Sequence, residues 1–333
     1  MQNYKKEIID SLGRKHDYLR ISLTERCNLR CFYCMPENGV ELREKSCFMT
    51  SEEVIEIAKE FVKLGIKKIR LTGGEPLIKK DIKNILLELG KLPVELAITT
   101  NAVLVDKYID VLKKAGVNSV NVSLDSLKES KFNQISRRNF FQRIKSNIDL
   151  LIEHGFNVKI NVVIIRDLND SEIPDFICWT KNKAIDVRFI EFMPFDGNKW
   201  KNNKIVASAE IINLAKEVFG EKNVHKLKGE LNDTAVNYKL KNAKGSFGVI
   251  SSITNPFCDN CNRIRLLADG KIKNCLFSQT ETDILSAYRE NQDIQILIKD
   301  SIFNKRKQRG GVFEFNDDQV KFLKNRTMIA IGG

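Results

Sequence analysis

Two groups of three cysteines are the residues of this chain best equipped for chemistry. Cys27, Cys31 and Cys34 stand with three and then two residues between them, inside residues 24–36, TERCNLRCFYCMP. Cys258, Cys261 and Cys275 form a second group, with two and then thirteen residues between them. Three thiolates on a short loop can hold three irons of a [4Fe–4S] cube and leave the fourth iron open to a small molecule. A structural zinc site asks for a fourth donor. No His or Cys stands at zinc-finger distance from the first group, and His225 is the nearby candidate for the second. Reduced, buried thiols are the plain alternative for both. Cys47 and Cys178 belong to neither group and read as buried thiols.

Other polar residues fall where strands end or run. Gly73-Gly74-Glu75-Pro76 follows one strand directly. Two glycines let backbone approach a ligand and expose its N–H and C=O groups, and Glu75 adds an acceptor. By itself such a pair is an ordinary turn. Ser123 and Asp125 close another strand, where Ser123 either caps its own backbone or offers a hydroxyl to a ligand. Arg263 and Arg265, two apart on a strand, face the same way beside the second cysteine group and suit a phosphate or carboxylate. Arg20, Arg70, Lys159 and Arg188 also lie on strands. Charges there are costly unless paired or bound to an anion. Aimed at one cavity, the four would trap a triphosphate-sized ligand.

The elements that must carry these residues alternate. Apolar runs at 19–23, 68–72, 94–100, 119–124, 158–164 and 186–191 read as strands, with helical patterns between them. Residues 50–64 are typical: a Thr-Ser-Glu-Glu start, Val54, Ile57, Ala58, Phe61 and Leu64 on one face, then Gly65. This alternation predicts an α/β fold, a parallel sheet with outer helices. Six units suggest an incomplete (β/α)6 TIM-like barrel, whose chemistry would sit on the loops after the strands; a doubly wound sheet fits the same pattern. From about residue 221 the rhythm breaks. We therefore expect a barrel over 1–220 and a smaller C-terminal iron–sulfur domain over 221–333. Residues 1–18 read as an arm or short helix, and the basic, glycine-containing 305–311 as a mobile loop.

Composition sets limits. Hydrophobic residues make up 42% of 333 residues, enough for a full core. No run approaches the roughly 20 apolar residues of a membrane span, and the first twenty carry charges throughout, so a cytoplasmic protein without a membrane partner is expected. The net charge of +12 favours a polyanionic partner. No zinc-finger or RNA-binding aromatic pattern accompanies it, and a phosphate-rich small molecule would use a few positioned arginines instead; composition does not choose between that and nucleic acid.

The first cysteine group, with Tyr33 before its third thiol, resembles the signature of radical S-adenosylmethionine enzymes. The stretches IRLTGGEPL, NVSLD, VRFIEFMP, FCDNCNRIRL and the closing Ile-Gly-Gly narrow the resemblance to the GTP 3′,8-cyclase family of molybdenum cofactor biosynthesis. The resemblance implies two [4Fe–4S] clusters, on Cys27, Cys31 and Cys34 and on Cys258, Cys261 and Cys275. It implies S-adenosylmethionine held by Tyr33, Gly73, Gly74, Glu75, Ser123 and Met193. It implies GTP contacts from Arg20, Arg70, Thr99, Lys159, Arg188, Arg263 and Arg265, and catalytic support from Arg263, Arg265, Gly332 and Gly333. A homodimer, an external one-electron donor of flavodoxin or ferredoxin type, and a downstream cyclic pyranopterin monophosphate synthase come with it.

In that family a deoxyadenosyl radical takes the ribose 3′ hydrogen of GTP, and C3′ then bonds to C8 of guanine. One departure stands out: Ala102 follows Thr99-Thr100-Asn101 where the family usually has glycine. Two rival readings remain. A radical maturase of peptides would carry a longer, cysteine-denser C-terminal region than this chain shows. A structural metal protein gripping RNA would bind zinc and cleave no cofactor.

Overall fold

The computed structural model describes residues 7–36, 39, 43–321, 323 and 325–332. Six strand–helix repeats come first. They are β1 (Tyr18–Ser22), α1 (Ser51–Lys63), β2 (Lys68–Thr72), α2 (Ile82–Leu89), β3 (Glu95–Thr100), α3 (Ile109–Lys114), β4 (Ser119–Ser123), α4 (Glu129–Ser136), α5 (Phe141–Glu153), β5 (Asn157–Ile164), α6 (Ile173–Asn182), β6 (Ile185–Glu191) and α7 (Ser208–Phe219). Short strands follow: β7 (Val224–Lys226), β8 (Val236–Leu240), β9 (Ser246–Ile250), β10 (Arg263–Leu266), β11 (Lys271–Lys273) and β12 (Thr282–Asp283). Helices α8 (Ile284–Arg289), α9 (Ile294–Phe303), α10 (Asp317–Val320) and α11 (Met328–Ile331) complete the chain.

Local chemistry explains the repeats. Thr50 caps α1: its hydroxyl accepts from the Glu53 N–H, and the Glu53 carboxylate accepts from the Thr50 N–H. Val54, Ile57, Ala58 and Phe61 bury that helix against the sheet. Gly65, at φ +108°, lets the chain turn back into β2.

All twelve strands form one mixed sheet, in the order β12-β11-β10-β1-β2-β3-β4-β5-β6-β9-β8-β7. The eight from β10 to β9 run parallel. The strands after residue 221 therefore build no sheet of their own; β9 extends one edge at β6 and β10 the other at β1. Between these two edges residues 251–262 cross, carrying Cys258 and Cys261. The Glu191 carboxylate at the end of β6 pins this crossing, accepting from the Ile253 N–H at 2.7 Å and from Thr254.

Register sorts the two faces. Leu19, Ile21, Val158, Ile160, Val187 and Phe189 are buried beneath the helices. Opposite parity puts Arg20 beside Arg70 on β2 and Arg265 on β10, and Asn161 beside Ser123 on β4 and Arg188 on β6. One face is aliphatic and the other polar and cationic. Arg188 feels the charges of Arg70 and Tyr18. Four strand spacings would set β2 and β6 about 19 Å apart in a flat sheet, so the sheet curls around its cationic face.

Of the expected arm or short helix, residues 7–17 form an arm, in which Ile9 pairs with Lys15 in an isolated antiparallel bridge and Ile8 is buried. One expectation differs from the structure: Cys47 and Cys178, read as buried thiols, are exposed. Among the described residues no helix is long and apolar enough to cross a membrane.

Candidate active site

The loops after β1 to β6 line one cavity, about 1060 Å³ of empty space with its open mouth included. Cys27, Cys31, Cys34 and Tyr33 come from the loop after β1, Gly73 and Gly74 from β2, Thr99 and Asn101 from β3, Ser123 and Asp125 from β4, Asn161 from β5 and Met193 from β6. The three thiols are near enough to raise one another. Burial first, then Glu75, pushes Cys27 up to about 11. Burial, Asp125 and the neighbouring thiols drive Cys31 far above the ordinary thiol range, and burial with Cys27 does the same to Cys34. Thiols held this high lose their protons readily when a shared cation displaces them, which fits an iron cluster. Among the described residues no three His, Cys, Asp or Glu side chains converge as single-ion ligands. A cube ligated at three separate corners asks for no such convergence.

Gly73 and Gly74 line the cavity and also seat the cysteine loop. The Gly74 N–H donates to Thr24 O at 2.6 Å and the Glu75 N–H to Arg26 O at 2.7 Å. A Cβ on Gly74 would lie 2.0 Å from the Arg26 carbonyl oxygen. The Glu75 carboxylate, expected to face the cofactor, is held by three hydrogen bonds from the loop after β3 and its own turn. It accepts from Thr100 Oγ1 and the Asn101 N–H, both at 2.7 Å, and from the Leu77 N–H at 3.0 Å. Burial raises it to about 7 against these donors. Its place is the base of the β3 loop. Tyr33 donates to Asp125 at 2.6 Å, and the other Asp125 oxygen accepts from the Val163 N–H. Burial lifts Asp125 to about 6.

Deeper on the same face lie the cations. Arg20 stands two residues, about 7 Å, below the strand end at Ser22. Burial above all, then Arg70 and Arg263, brings its guanidinium down to about 10. Arg265 falls further, through burial, Arg20 and Arg263. Burial and Arg188 lower Lys159, and burial and Arg70 lower Arg188. The Nε atoms of Arg20 and Arg188 are buried without a partner, as are Thr99 Oγ1, Asn121 Oδ1 and Asn161 Oδ1. Mutually repelling, partly unpartnered cations beside unsatisfied side-chain oxygens describe a site shaped for an anion with hydrogen-bonding groups. The sequence-predicted residues Arg20, Arg70, Thr99, Lys159, Arg188, Arg263 and Arg265 thus share one face.

Three residues escaped the sequence reading. Asn121 and Asn161 keep the same parity as Ser123 and Lys159, a signal that alternation alone could have given. Tyr18 opens the cationic row, its oxygen accepting from Arg70 Nε at 2.6 Å. Burial raises this phenol, but Arg70 and Arg20 outweigh it and hold it at about 8, below the usual 10. A tyrosine lowered by folding adds stability above its unfolded value and loses it as pH falls through the folded one. Stability is therefore expected to rise between about pH 8 and 10. A phenolate absorbance near 295 nm should titrate near 8, and anion binding should weaken over the same interval. A tyrosine signal that titrates only near 10 would remove Tyr18 from the cationic row.

The second cysteine group lies beside this row. Arg263 Nη2 and Lys305 Nζ donate to Cys261 Sγ at 3.4 and 3.3 Å, and the Arg309 N–H donates to Cys258 Sγ at 3.4 Å. Burial raises Cys261, yet Arg263 and Lys305 together hold it at about 6. Within residues 305–311, expected as a mobile loop, Lys305 is 4% exposed and a Cβ on Gly310 would meet Ser278 N at 2.6 Å, while Arg306, Lys307 and Gly311 are exposed. The C-terminal tail reaches the same place. Arg265 Nη1 donates to Gly332 O at 2.8 Å. Gly332, at φ +84°, leaves its missing Cβ 2.7 Å from Thr72 Oγ1. Gly333 lies outside the described residues.

The chain is similar to known proteins in sequence and in fold. Residues 21–179 match the Radical SAM superfamily and 185–310 the Molybdenum Cofactor Synthesis C family. The chain is 44% identical over 332 residues to the mitochondrial GTP 3′,8-cyclase of Arabidopsis thaliana, covering 98% of this chain and 83% of that one. It is 40% identical over 331 residues to GTP 3′,8-cyclase of Listeria welshimeri, covering 97% and 98%. Against human molybdenum cofactor biosynthesis protein 1 it is 42% identical, covering 97% of this chain and 51% of the relative, so it spans about half the length of that protein. In fold it is similar to Streptococcus suis SuiB bound to S-adenosylmethionine, with TM-score 0.63, 16% identity and coverage of 95% and 77%.

Proposed function

The chain belongs to the GTP 3′,8-cyclase family of radical S-adenosylmethionine enzymes, and from that premise we propose that it converts GTP to (8S)-3′,8-cyclo-7,8-dihydroguanosine 5′-triphosphate. The observation that carries this reading is the row of buried and half-buried guanidinium groups on the inner face, two of them with a buried, unpartnered Nε, directly below a cavity edged by three thiols. We read the curled sheet as an incomplete (β/α)6 barrel over 1–220, with 221–333 as the part that holds a second cluster.

Cys27, Cys31 and Cys34 would hold one [4Fe–4S] cluster, and Cys258, Cys261 and Cys275 the other. Bound there, the first supplies the electron that cleaves S-adenosylmethionine, and so the radical that removes the 3′ hydrogen of GTP. The chain does the rest by placement. Tyr33, Ser123, Asn161 and Met193 line the cofactor's cavity, and Gly73 and Gly74 keep the cysteine loop seated. Arg20, Arg70, Lys159, Arg188 and Arg265 clamp the triphosphate, so remote binding energy fixes the ribose and base. Ile190, Phe192, Phe195 and Met328 give the cavity apolar walls that hold water off a carbon radical. The Gly332 carbonyl on Arg265 brings the tail to the substrate's edge. A homodimer, an external one-electron donor of flavodoxin or ferredoxin type, and delivery of product to a cyclic pyranopterin monophosphate synthase belong to the same proposal, as does a cytoplasmic location.

The test is one anaerobically reconstituted sample run beside Cys275→Ala. About eight irons per chain, with 5′-deoxyadenosine and cyclised GTP, are expected for the native chain. The variant should retain about four and yield no cyclised product. Cofactor cleavage that ignores GTP and starts only on adding a peptide would overturn the assignment.

A further inference from the structure

Lys305 is 4% exposed, and among the described residues no carboxylate lies within ion-pair distance of it. A buried ammonium without an acid is expensive, and something at the site must stabilise it. Its position just past the C-terminus of α9 helps, since that end of a helix favours a cation. Its two hydrogen bonds show the rest: Nζ donates to Arg263 O at 2.8 Å and to Cys261 Sγ at 3.3 Å. Arg263 adds a second charged donor to the same sulfur at 3.4 Å. The N-terminal group is treated differently. Cys27 Sγ receives the Leu29 N–H at 3.4 Å and the Asn101 amide at 3.6 Å, both neutral. The acids Glu75 and Asp125 stand beside those thiols, whereas Arg263 and Lys305 stand beside Cys261.

We propose that Lys305 sets the reduction potential of the second cluster: its ammonium, donating with Arg263 into the Cys261 sulfur, holds that cluster at a higher potential than the N-terminal one. The proposal rests on the two-cluster reading above. The physical reason is general. Reduction adds negative charge to a cluster, so a nearby cation and charged N–H···S donors stabilise the reduced form, while neighbouring carboxyls stabilise the oxidised form. The chain would thereby keep its strongest reductant at the cofactor end and a milder couple where the substrate's base would lie. Lys305 acts through Cys261 and is a positioning residue; nothing places it on the substrate.

A redox titration followed by electron paramagnetic resonance tests this on the full, reconstituted chain. Cys275→Ala assigns the two midpoints by deleting one. In Lys305→Met the second midpoint should fall, with the reduced-to-oxidised ratio at fixed potential down about tenfold, about 59 mV for a one-electron couple. The N-terminal midpoint should not move. Lys305→Gln, which keeps a donor and loses the charge, should fall part of the way, and Lys305→Arg should restore the native value. Equal iron content in all four proteins separates tuning from loss of the cluster. A second midpoint unmoved in both Met and Gln variants would overturn the proposal, as would an Arg variant that behaves like Met. Only about four irons in the native chain would instead overturn the two-cluster reading beneath it.

Discussion

Gly74→Ala is expected to abolish assembly of the N-terminal cluster while leaving the sheet folded. The added methyl would sit 2.0 Å from Arg26 O, 2.5 Å from Arg26 C and 3.2 Å from Arg26 N. These are backbone atoms one residue before Cys27, so no side chain can swing aside. The loop must retreat by more than 1 Å to reach ordinary contact. That retreat also breaks the 2.6 and 2.7 Å hydrogen bonds that tie Gly74 and Glu75 to the loop, each about 1 kcal/mol. A displacement of about 1 Å in a reacting constellation costs about a hundredfold in rate, and displaced thiols should also fail to hold iron. Iron should fall by about half and S-adenosylmethionine cleavage by at least about a hundredfold, with the thermal transition retained. Gly155→Ala is the control. Unlike Gly74 it holds a positive φ, +79°, but nothing lies within 4 Å of the added methyl, so it should cost about 1 kcal/mol of stability and no iron. A Gly74→Ala protein with native iron content would show that the loop seats itself by other means.

Arg20→Met should do two opposite things. The side chain it removes is half-buried, has a buried, unpartnered Nε, and is repelled by Arg70 and Arg263. Replacing a poorly paired charge of this kind by an apolar side chain of similar length relieves desolvation and repulsion, so the ligand-free protein should melt higher. GTP should bind about tenfold to a hundredfold more weakly, since a charged hydrogen bond to phosphate contributes about 1.5–3 kcal/mol. Calorimetric titration with GTP and a thermal melt on the same preparation check both signs. Native GTP affinity would take Arg20 out of the clamp; a lower melting temperature would mean that its charge has a partner in the free protein.

The sequence made the two thiol groups legible because their information is local. Spacings of three, two and thirteen between thiols and the parity of Arg263 with Arg265 need no tertiary contact to be read. The inward cations followed from alternation once their strands were placed. What stayed hidden depended on which distant element arrives next to a residue. Glu75 sits beside two glycines that face the cavity, yet Thr100 and Asn101, a strand away, draw its carboxylate to themselves. Lys305 opens a basic run that composition assigns to solvent, yet Cys261, 44 positions earlier, takes its ammonium. The cysteines outside the two triplets looked like core residues by type and proved exposed. Ala102 shows the limit from the other side. The turn does hold positive φ there, +60°, at a cost of about 1–2 kcal/mol for a non-glycine residue. Its methyl is fully buried, which offsets about 0.8 kcal/mol of that cost.

The closing of both sheet edges by late strands has a consequence for how the chain is made. β1 leaves the ribosome early, but the partner on its outer side, β10, follows far behind; Asn262, at the threshold of β10, meets Asp17 across 245 positions. At about 5–20 residues per second, β1 waits roughly ten to fifty seconds with that edge unpaired. β6 waits less, for β9 follows within the next sixty residues or so. A nascent chain of this design carries an open parallel edge on β1 until β10, some 245 positions later, has been synthesised. The arginines at that edge, Arg20 foremost, then keep it charged and unwelcoming to a neighbouring nascent chain. The same charge that would later hold a nucleotide serves first as a guard against premature pairing.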